Sequence, residues 1–230
     1  MKRKIVVLTG AGISAESGLK TFRDSDGLWE EYNIEDVASI NGWLKNPKLV
    51  IEFYNKRRSQ LMNVKPNEAH FALARLEDKF EVHVITQNVD DLHERGGSTN
   101  ITHLHGELTK VRSVKYPELV YSIGYKDINI GDLCERGEQL RPHIVWFGES
   151  VPLMEIAAKV VEEADYLMII GTSMQVYPAA GLINYAPDNC SIFIIDPKAD
   201  NSYQNSKIEI IKENAGKAVP KLVQELMEQE

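Results

Sequence analysis

Cysteine is scarce in this sequence, and no apolar run is long. The 230 residues include only two cysteines, Cys134 and Cys190, which could form at most one disulfide. A disulfide-held secreted scaffold is therefore excluded, and we expect a protein of a reducing, cytoplasmic environment. The first apolar run, Ile5 to Leu8, is too short for a signal peptide or a membrane span. We therefore expect no association with a membrane.

Net positive charge is also lacking. The formal net charge is -8 at pH 7, whereas strong non-specific binding of nucleic acid needs a concentrated Lys and Arg surface. Hydrophobic residues make up 43% of the chain, which suffices for a buried core in one domain with a sizeable insertion. We expect a monomer that binds small molecules or proteins and does not bind nucleic acid directly.

A buried strand followed by a glycine turn opens the chain. The apolar run Ile5 to Thr9 leads directly into Gly10, Gly12 and Ala15, which match the small-residue spacing of the dinucleotide-binding fingerprint. In that fingerprint, glycines allow a tight turn and a close approach of backbone N–H groups to a pyrophosphate. A strand-end acid about 20 residues later is missing, so a typical dehydrogenase arrangement is not supported.

Two further strands end in polar residues. The β-branched runs Val82 to Ile85 and Ile101 to Leu104 are followed by side chains that can bind ligands or move protons: Gln87, Asn88, Asp90 and His105. Carboxyl ends of parallel strands meet at one edge of a sheet, so these side chains form a candidate active site. In the alternative interpretation, Asn88 and Asp90 only cap a helix from Val89 to Arg95.

Two other segments have both a functional and a structural interpretation. The loop that contains Phe22, Arg23 and Trp29 suits a lid over a ligand, or is a surface connection anchored by its aromatic rings. In the predicted helix from Pro47 to Met62, Tyr54 and Arg57 stand three positions apart and share one face. They could clamp a carboxylate, or belong to a solvated helix face.

Alternating strands and helices continue to the end of the chain. After an insertion without helical period, we predict helices at 153–163, 179–185 and 220–230 and strands at 166–170, 192–196 and 208–211. This alternation predicts an α/β fold with a doubly wound parallel sheet.

Five motifs follow one another along the chain. They are Gly10-Ala-Gly-Ile-Ser-Ala-Glu-Ser-Gly with Thr21-Phe-Arg23, Thr86-Gln-Asn-Val-Asp90 with Leu92-His93, His105-Gly106, Phe147-Gly-Glu149 and Gly171-Thr-Ser173. Together they resemble the sirtuins, which are NAD-dependent protein-lysine deacylases. The resemblance implies a Rossmann-type NAD-binding domain of residues 1–24, 65–108 and 146–230. Residues 25–64 and 109–145 would form a small inserted domain.

The resemblance also implies roles for individual residues. His105 would be the general base, and Asn88 and Asp90 would act beside the ribose and nicotinamide. The backbone of Phe147 and Gly148 would pair with an extended substrate peptide, whereas His103 would be a structural neighbour of the site. The residues that would contact NAD are Gly10, Ala11, Gly12, Ile13, Phe22, Arg23, Trp29, Gln87, Asn88, Val89, Asp90, Gly171, Thr172, Ser173, Asp196 and Ala215.

The implied reaction consumes NAD and needs a base. The acyl-lysine oxygen attacks the ribose, nicotinamide leaves, and a ribose hydroxyl activated by an imidazole then takes the acyl group. Tyr54 and Arg57 resemble the Tyr-x-x-Arg signature of the subgroup that removes succinyl and malonyl groups. The expected substrates are therefore acyl-lysine proteins or peptides, and the products are nicotinamide and O-acyl-ADP-ribose.

The inserted segment departs from the family pattern. Sirtuins usually carry two Cys-x-x-Cys pairs that bind structural zinc, but the corresponding positions here are Ser113, Tyr116, Cys134 and Gly137. One thiolate cannot close a tetrahedral site, so we expect no zinc. The loss leaves two alternatives to a deacylase open, namely a non-catalytic sensor of NAD or ADP-ribose and a protein ADP-ribosyltransferase.

Overall fold

A computed structural model describes residues 2–19, 28–29, 32–203 and 206–229. The predicted NAD contacts Phe22 and Arg23 lie outside these residues. Trp29 lies in a two-residue strand of which only the backbone is described.

The strands and helices alternate along most of the chain. The strands are β1 (Lys4–Thr9), β2 (Leu28–Trp29), β3 (Tyr32–Asn33), β4 (Glu81–Thr86), β5 (Ile101–His103), β6 (Gly106–Ser113), β7 (Val120–Ser122), β8 (Leu140–Ile144), β9 (Tyr166–Ile170), β10 (Ser191–Ile195) and β11 (Ile208–Ile211). The α-helices are α1 (Gly12–Ala15), α2 (Ile34–Val37), α3 (Ile40–Lys45), α4 (Pro47–Asn63), α5 (Glu68–Arg75), α6 (Leu92–Gly96), α7 (Met154–Val161) and α8 (Ala215–Gln229). Short 3₁₀ helices occur at Leu76–Asp78, Ala179–Tyr185 and Asn201–Tyr203.

Six parallel strands form the main sheet, in the order β11-β10-β9-β1-β4-β5. From β1 the chain moves outward through β4 and β5, then returns to the other side of β1 and continues through β9, β10 and β11. The predicted doubly wound, Rossmann-like sheet is therefore confirmed. The direction of winding reverses at β1, and in such sheets ligands bind outside the carboxyl ends of the strands at this reversal.

Apolar clusters cover both faces of this sheet. On one face, Leu73 of α5 and Leu222 of α8 pack against residues such as Val7 of β1. On the other face, Val161 of α7 and Leu182 pack with residues such as Leu8 and Ile169. This two-sided burial explains why the strands of the main sheet are almost entirely apolar runs.

A smaller unit lies beside the main sheet. Strand β6 pairs with β7 and β8 in an antiparallel sheet, and β6 and β8 also contact α4. A third apolar cluster joins Trp43, Phe53 and Tyr54 to Val111 and Trp146. The two segments predicted to be inserted thus contribute to one apolar cluster, and the exact bounds of a small second domain stay a prediction.

Two predicted helix boundaries are wrong. The helix predicted to begin at Val89 begins at Leu92, because the Asp90 side chain accepts the Leu92 N–H and residues 87–91 remain in a loop. The terminal helix begins at Ala215 and contains Pro220, which we predicted as its first residue. Asn214 accepts the N–H groups of Lys217 and Ala218 and starts the helix earlier. Within the described residues, no helix has the length and apolar character that crossing a membrane requires.

Candidate functional site

A cavity of about 610 Å³ opens at the carboxyl ends of the parallel strands, beside β1. Most predicted site residues line it: Gly10, Ala11, Gly12, Tyr54, Arg57, Gln87, Asn88, Val89, Asp90, His105, Phe147, Gly148, Gly171, Thr172, Ser173, Asp196 and Ala215. Ile13 does not line it, because the side chain is fully buried in the core on one face of the sheet.

Several lining residues were not predicted as site residues. They include Ser14, Trp146, Glu149, Tyr177, Lys198 and Asn214. Ser14 lies in the motif that begins at Gly10, and Glu149 ends the motif that begins at Phe147, so these motifs already pointed to both residues. Nothing in the local sequence distinguishes Trp146 and Tyr177 from other aromatic residues, and only the folded structure shows that they line the cavity.

The glycine turn at residues 10–12 lies close to the turn at Gly171, which follows β9. A Cβ on Gly12 would lie 2.6 Å from the Cα of Gly171, and one on Gly10 would lie 2.8 Å from the Gly171 oxygen. The Gly12 N–H donates to that oxygen at 2.8 Å. Glycine is therefore needed at positions 10 and 12 for contact between two backbone segments, in addition to any contact with a pyrophosphate. This contact joins the ends of β1 and β9 at the floor of the cavity.

His105 is held by the end of the neighbouring strand. Its Nδ1 lies 3.0 Å from the Gln87 backbone oxygen, which can only accept a hydrogen bond. Nδ1 therefore carries the proton, and Nε2 keeps a lone pair. Burial lowers the pKa of His105 from its ordinary value, against the opposing effect of the bond to Gln87. Gly106 follows with a φ of 83°, and a Cβ there would lie 1.9 Å from the His143 oxygen. The His-Gly pair is thus needed to turn the chain directly after the imidazole.

Asn88 and Asp90 share the Ser14 hydroxyl. Asn88 Nδ2 donates to the Gly10 oxygen and to Ser14 Oγ, both at 3.2 Å. Ser14 Oγ in turn donates to Asp90 Oδ2 at 3.0 Å. Asp90 also accepts the N–H of Leu92, the first residue of α6, but the N-cap position is Asp91 and makes no side-chain capping bond, so Asp90 is not the N-cap of this helix. Asn88 does not cap that helix. Burial raises the pKa of Asp90 against the hydrogen bonds from Leu92 and Ser14.

His103 bonds to the backbone of the loop formed by residues 87–91. Its Nδ1 lies 3.2 Å from the Asn88 backbone oxygen, and its Nε2 lies 2.6 Å from Glu94 Oε1. Both partners accept, so both ring nitrogens carry protons. Burial lowers the pKa of His103, but the hydrogen bond and the charge of Glu94, together with the charge of Glu107 and the bond to Asn88, outweigh burial, so the net pKa is raised. A charged imidazole therefore holds the backbone of Asn88 in place.

Tyr54 and Arg57 line the same cavity as His105. They lie on α4 and are only 1% and 6% exposed, so the alternative of a solvated helix face is wrong. Trp146 Nε1 donates to the Tyr54 hydroxyl oxygen at 3.0 Å. Burial raises the pKa of Tyr54 against the effect of that bond, so the phenol stays protonated. Because the indole uses an acceptor position on this oxygen, the phenolic O–H is directed to another partner.

The segment around Phe147 forms part of the cavity wall. The Phe147 N–H donates to the Ala38 oxygen at 2.9 Å, and the Phe147 oxygen accepts the Ile40 N–H at 3.3 Å. The backbone groups of Phe147 are therefore already paired with residues 38–40, and pairing of a substrate peptide with this segment, including Gly148, stays a prediction. Gly148 has a φ of 89° and lies next to this pairing. The Phe147 side chain is 48% exposed.

The four positions that correspond to zinc ligands do not fit a zinc site. Cys134 Sγ lies 3.5 Å from Ser113 Oγ, and the Tyr116 ring lies under the Arg136 guanidinium at 4.6 Å. Gly137 supplies no side chain. In the part of the chain that the structure describes, Cys134 joins no group of three His, Cys, Asp or Glu ligand atoms. One thiol, one hydroxyl and a phenol engaged with cations do not make a tetrahedral zinc set.

Comparisons with known proteins agree on one family. The sequence pattern of the Sir2 family matches residues 10–178. An NAD-dependent protein deacylase of Helicobacter pylori is 56% identical over 226 residues, which is 98% of each chain. One of Bacteroides thetaiotaomicron is 51% identical over 230 residues, again with 98% of each chain covered.

Solved structures of Sir2 homologues superpose on nearly the whole chain. A mutant homologue in complex with ADP-ribose gives a TM-score of 0.89 at 37% identity, covering 99% of this chain and 93% of that one. A homologue in complex with NAD gives 0.88 at 37% identity, covering 99% and 91%.

Proposed function

The chain belongs to the Sir2 family, and we propose that it uses NAD to remove acyl groups from lysine side chains of proteins. It is an NAD-dependent protein deacylase. The observation that carries this function is the placement of the His105 imidazole, with a lone pair on Nε2, in one cavity with Asn88 and Asp90. A neutral imidazole can accept a proton from a hydroxyl near neutral pH.

The residues around the cavity fit NAD. The glycine turn presents backbone without side chains, and the Asn88 amide and Gln87 amide lie beside it. Gln87 Nε2 donates to Thr172 Oγ1 at 3.2 Å, which links two predicted NAD contacts. When bound, NAD supplies a ribose carbon that releases nicotinamide. The protein's own contribution is to orient the sugar through Asn88, exclude water, and take a hydroxyl proton on His105 Nε2.

We propose that the preferred acyl group ends in a carboxylate, such as succinyl or malonyl. The Tyr54 hydroxyl and the Arg57 guanidinium both line the cavity that contains His105. Because Trp146 donates to the Tyr54 oxygen, the phenol can donate its own proton to a carboxylate. An acetyl group offers no charge to this pair, and a charge-assisted hydrogen bond contributes about 1.5–3 kcal/mol.

We also propose that the enzyme works without zinc. The support is the donor set at positions 113, 116, 134 and 137, which contains a single thiol. The small sheet has other supports: apolar contacts such as Val111 against Trp146, and the cation–π contact of Arg136 with Tyr116.

Mass spectrometry of products tests these proposals. The purified protein is incubated with NAD and matched acetyl-, succinyl- and malonyl-lysine peptides without added metal, with His105→Ala as the control. We expect loss of the succinyl or malonyl group together with nicotinamide and O-acyl-ADP-ribose. ADP-ribose on protein would indicate a transferase. NAD binding without turnover of any peptide would indicate a sensor.

A further inference from the structure

Glu149 lines the cavity and accepts hydrogen bonds from three residues. Arg141 donates to both carboxylate oxygens, through Nη1 at 2.7 Å and Nη2 at 3.0 Å. Arg112 adds contacts of 3.2 and 3.3 Å, and the Trp146 backbone N–H donates at 2.8 Å. The side chains of Arg141 and Glu149 are 6% and 19% exposed. This bidentate pair is therefore largely protected from the solvent screening that weakens surface ion pairs.

The Arg141 guanidinium also lies over the Trp146 ring. Its central carbon is 3.4 Å from the ring centroid, and Nη2 also donates to the Ile144 backbone oxygen at 3.0 Å. The planar guanidinium has two nitrogens bonded to fixed acceptors, so its orientation is set. The stacked indole is restrained in turn, since Trp43 packs near it with ring centroids 5.4 Å apart.

The Trp146 indole in turn restrains the Tyr54 hydroxyl. Trp146 Nε1 donates to the Tyr54 hydroxyl oxygen, and the two rings are 2% and 1% exposed. The direction in which Tyr54 can donate its proton depends on where the indole N–H lies. That position depends on Arg141, and the position of Arg141 depends on Glu149.

We propose that the Arg141–Glu149 pair positions Trp146 and Tyr54 and thereby sets specificity for an acyl group that ends in a carboxylate. This inference rests on the proposed function, because the Tyr54 hydroxyl contributes selectivity only if the acyl group carries an acceptor beyond its carbonyl. Arg141 and Glu149 act through Trp146, so they are positioning residues. When the pair is broken, acidic acyl groups lose more binding than acetyl.

Glu149→Gln tests the inference, because it keeps the side-chain shape and removes the charge that holds Arg141. We expect the ratio of kcat/KM for succinyl-lysine to that for acetyl-lysine peptides to fall about tenfold, chiefly through a higher KM for the succinyl peptide. Trp146→Phe keeps a ring for Arg141 and removes the Nε1 donor, so the same ratio should fall. It also carries the test if Glu149→Gln does not fold. A merely structural role would lower both rates in parallel.

Two controls complete the experiment. Glu138→Gln breaks an exposed ion pair with Lys115 at 3.1 Å in the same small unit and should leave the ratio unchanged. Adding Glu149→Gln to Tyr54→Phe should leave the ratio where Tyr54→Phe sets it, because both changes act on one hydroxyl.

Additive losses, or an unchanged ratio in both Glu149→Gln and Trp146→Phe, would overturn the inference and leave the proposed function standing. A wild-type enzyme that prefers acetyl peptides would overturn the proposed acidic specificity and the inference with it.

Discussion

The Nδ1 atom of His105 lies 3.0 Å from the backbone oxygen of Gln87. This single contact fixes the tautomer of the imidazole, because a carbonyl oxygen cannot donate. Gln87 is also bonded through its N–H to the Thr9 oxygen at 2.9 Å, at the end of the central strand. The tautomer of the proposed base is thus set by the end of the sheet.

The activity of the wild-type enzyme should rise with pH through the pKa of His105. The neutral imidazole is the active form, and burial lowers the pKa, so the acid limb of kcat/KM should be half-maximal below pH 6.5. His105→Asn should lose roughly 10²–10⁴-fold in turnover and retain NAD binding. Rates from pH 5 to 8 with NAD binding by calorimetry check this. A midpoint above pH 6.5, or full turnover in the variant, would contradict the assignment.

Arg57→Gln should remove the preference for acidic acyl groups. The variant keeps a polar side chain but is shorter and loses the charge, which costs about 1.5–3 kcal/mol, or roughly ten- to a hundredfold in kcat/KM for succinyl peptides. Acetyl peptides should be affected far less. Steady-state kinetics with both peptides measures the change, and Arg75→Gln, at an exposed position of α5, is the matched control. Retention of the succinyl preference would rule out the clamp.

Metal chelation should leave both activity and stability unchanged. Only Cys134 among the four zinc-equivalent positions supplies a thiol, so we expect that no metal bond holds the small sheet. Incubation with 1,10-phenanthroline followed by thermal unfolding and a deacylation assay checks this. Stoichiometric zinc by elemental analysis, lost together with activity, would be the opposite result.

Acid should destabilise the fold through His70. The imidazole is fully buried, and burial lowers its pKa to about 4. Because the pKa in the folded state is below that in the unfolded chain, the stabilisation is present above pH 6.5 and is lost as pH falls towards 4. The free energy of unfolding should fall by on the order of 3 kcal/mol as His70 becomes protonated. Urea unfolding across this range measures it. His70→Asn, whose amide can accept the Asn67 N–H as Nδ1 does, should flatten the dependence, and an equally steep curve would exclude His70 as its source.

Much of the fold follows from short-range pattern. The strand at Ile5 is apolar because both of its faces are buried, and the strand ends are polar because they face the cavity. Helical spacing likewise places Tyr54 and Arg57 on one face. These features depend on periods of two to four residues, which the sequence displays directly.

Contacts between distant residues could not be predicted in this way. The bond between Trp146 and Tyr54 joins residues 92 positions apart and depends on how the small sheet packs on α4. The backbone of Phe147 is engaged by residues 38–40, although its motif suggested an open edge. Pro220 resembled a helix start because the sequence does not show that Asn214 begins the helix earlier. In each case, the local sequence allowed more than one structure, and a contact with residues outside the local pattern determined which one forms.

The position of β1 has a consequence for synthesis on the ribosome. β1 is made before both of its partner strands, and one of its two edges stays open until β9 emerges, since Ile5 pairs with Tyr166. Until then, a strand of buried apolar residues has an unpaired edge, which is a template for aggregation. Chains truncated before Tyr166 should therefore bind holdase chaperones strongly. The chaperone should be released when β9 is made, and the same strand completes the floor of the cavity.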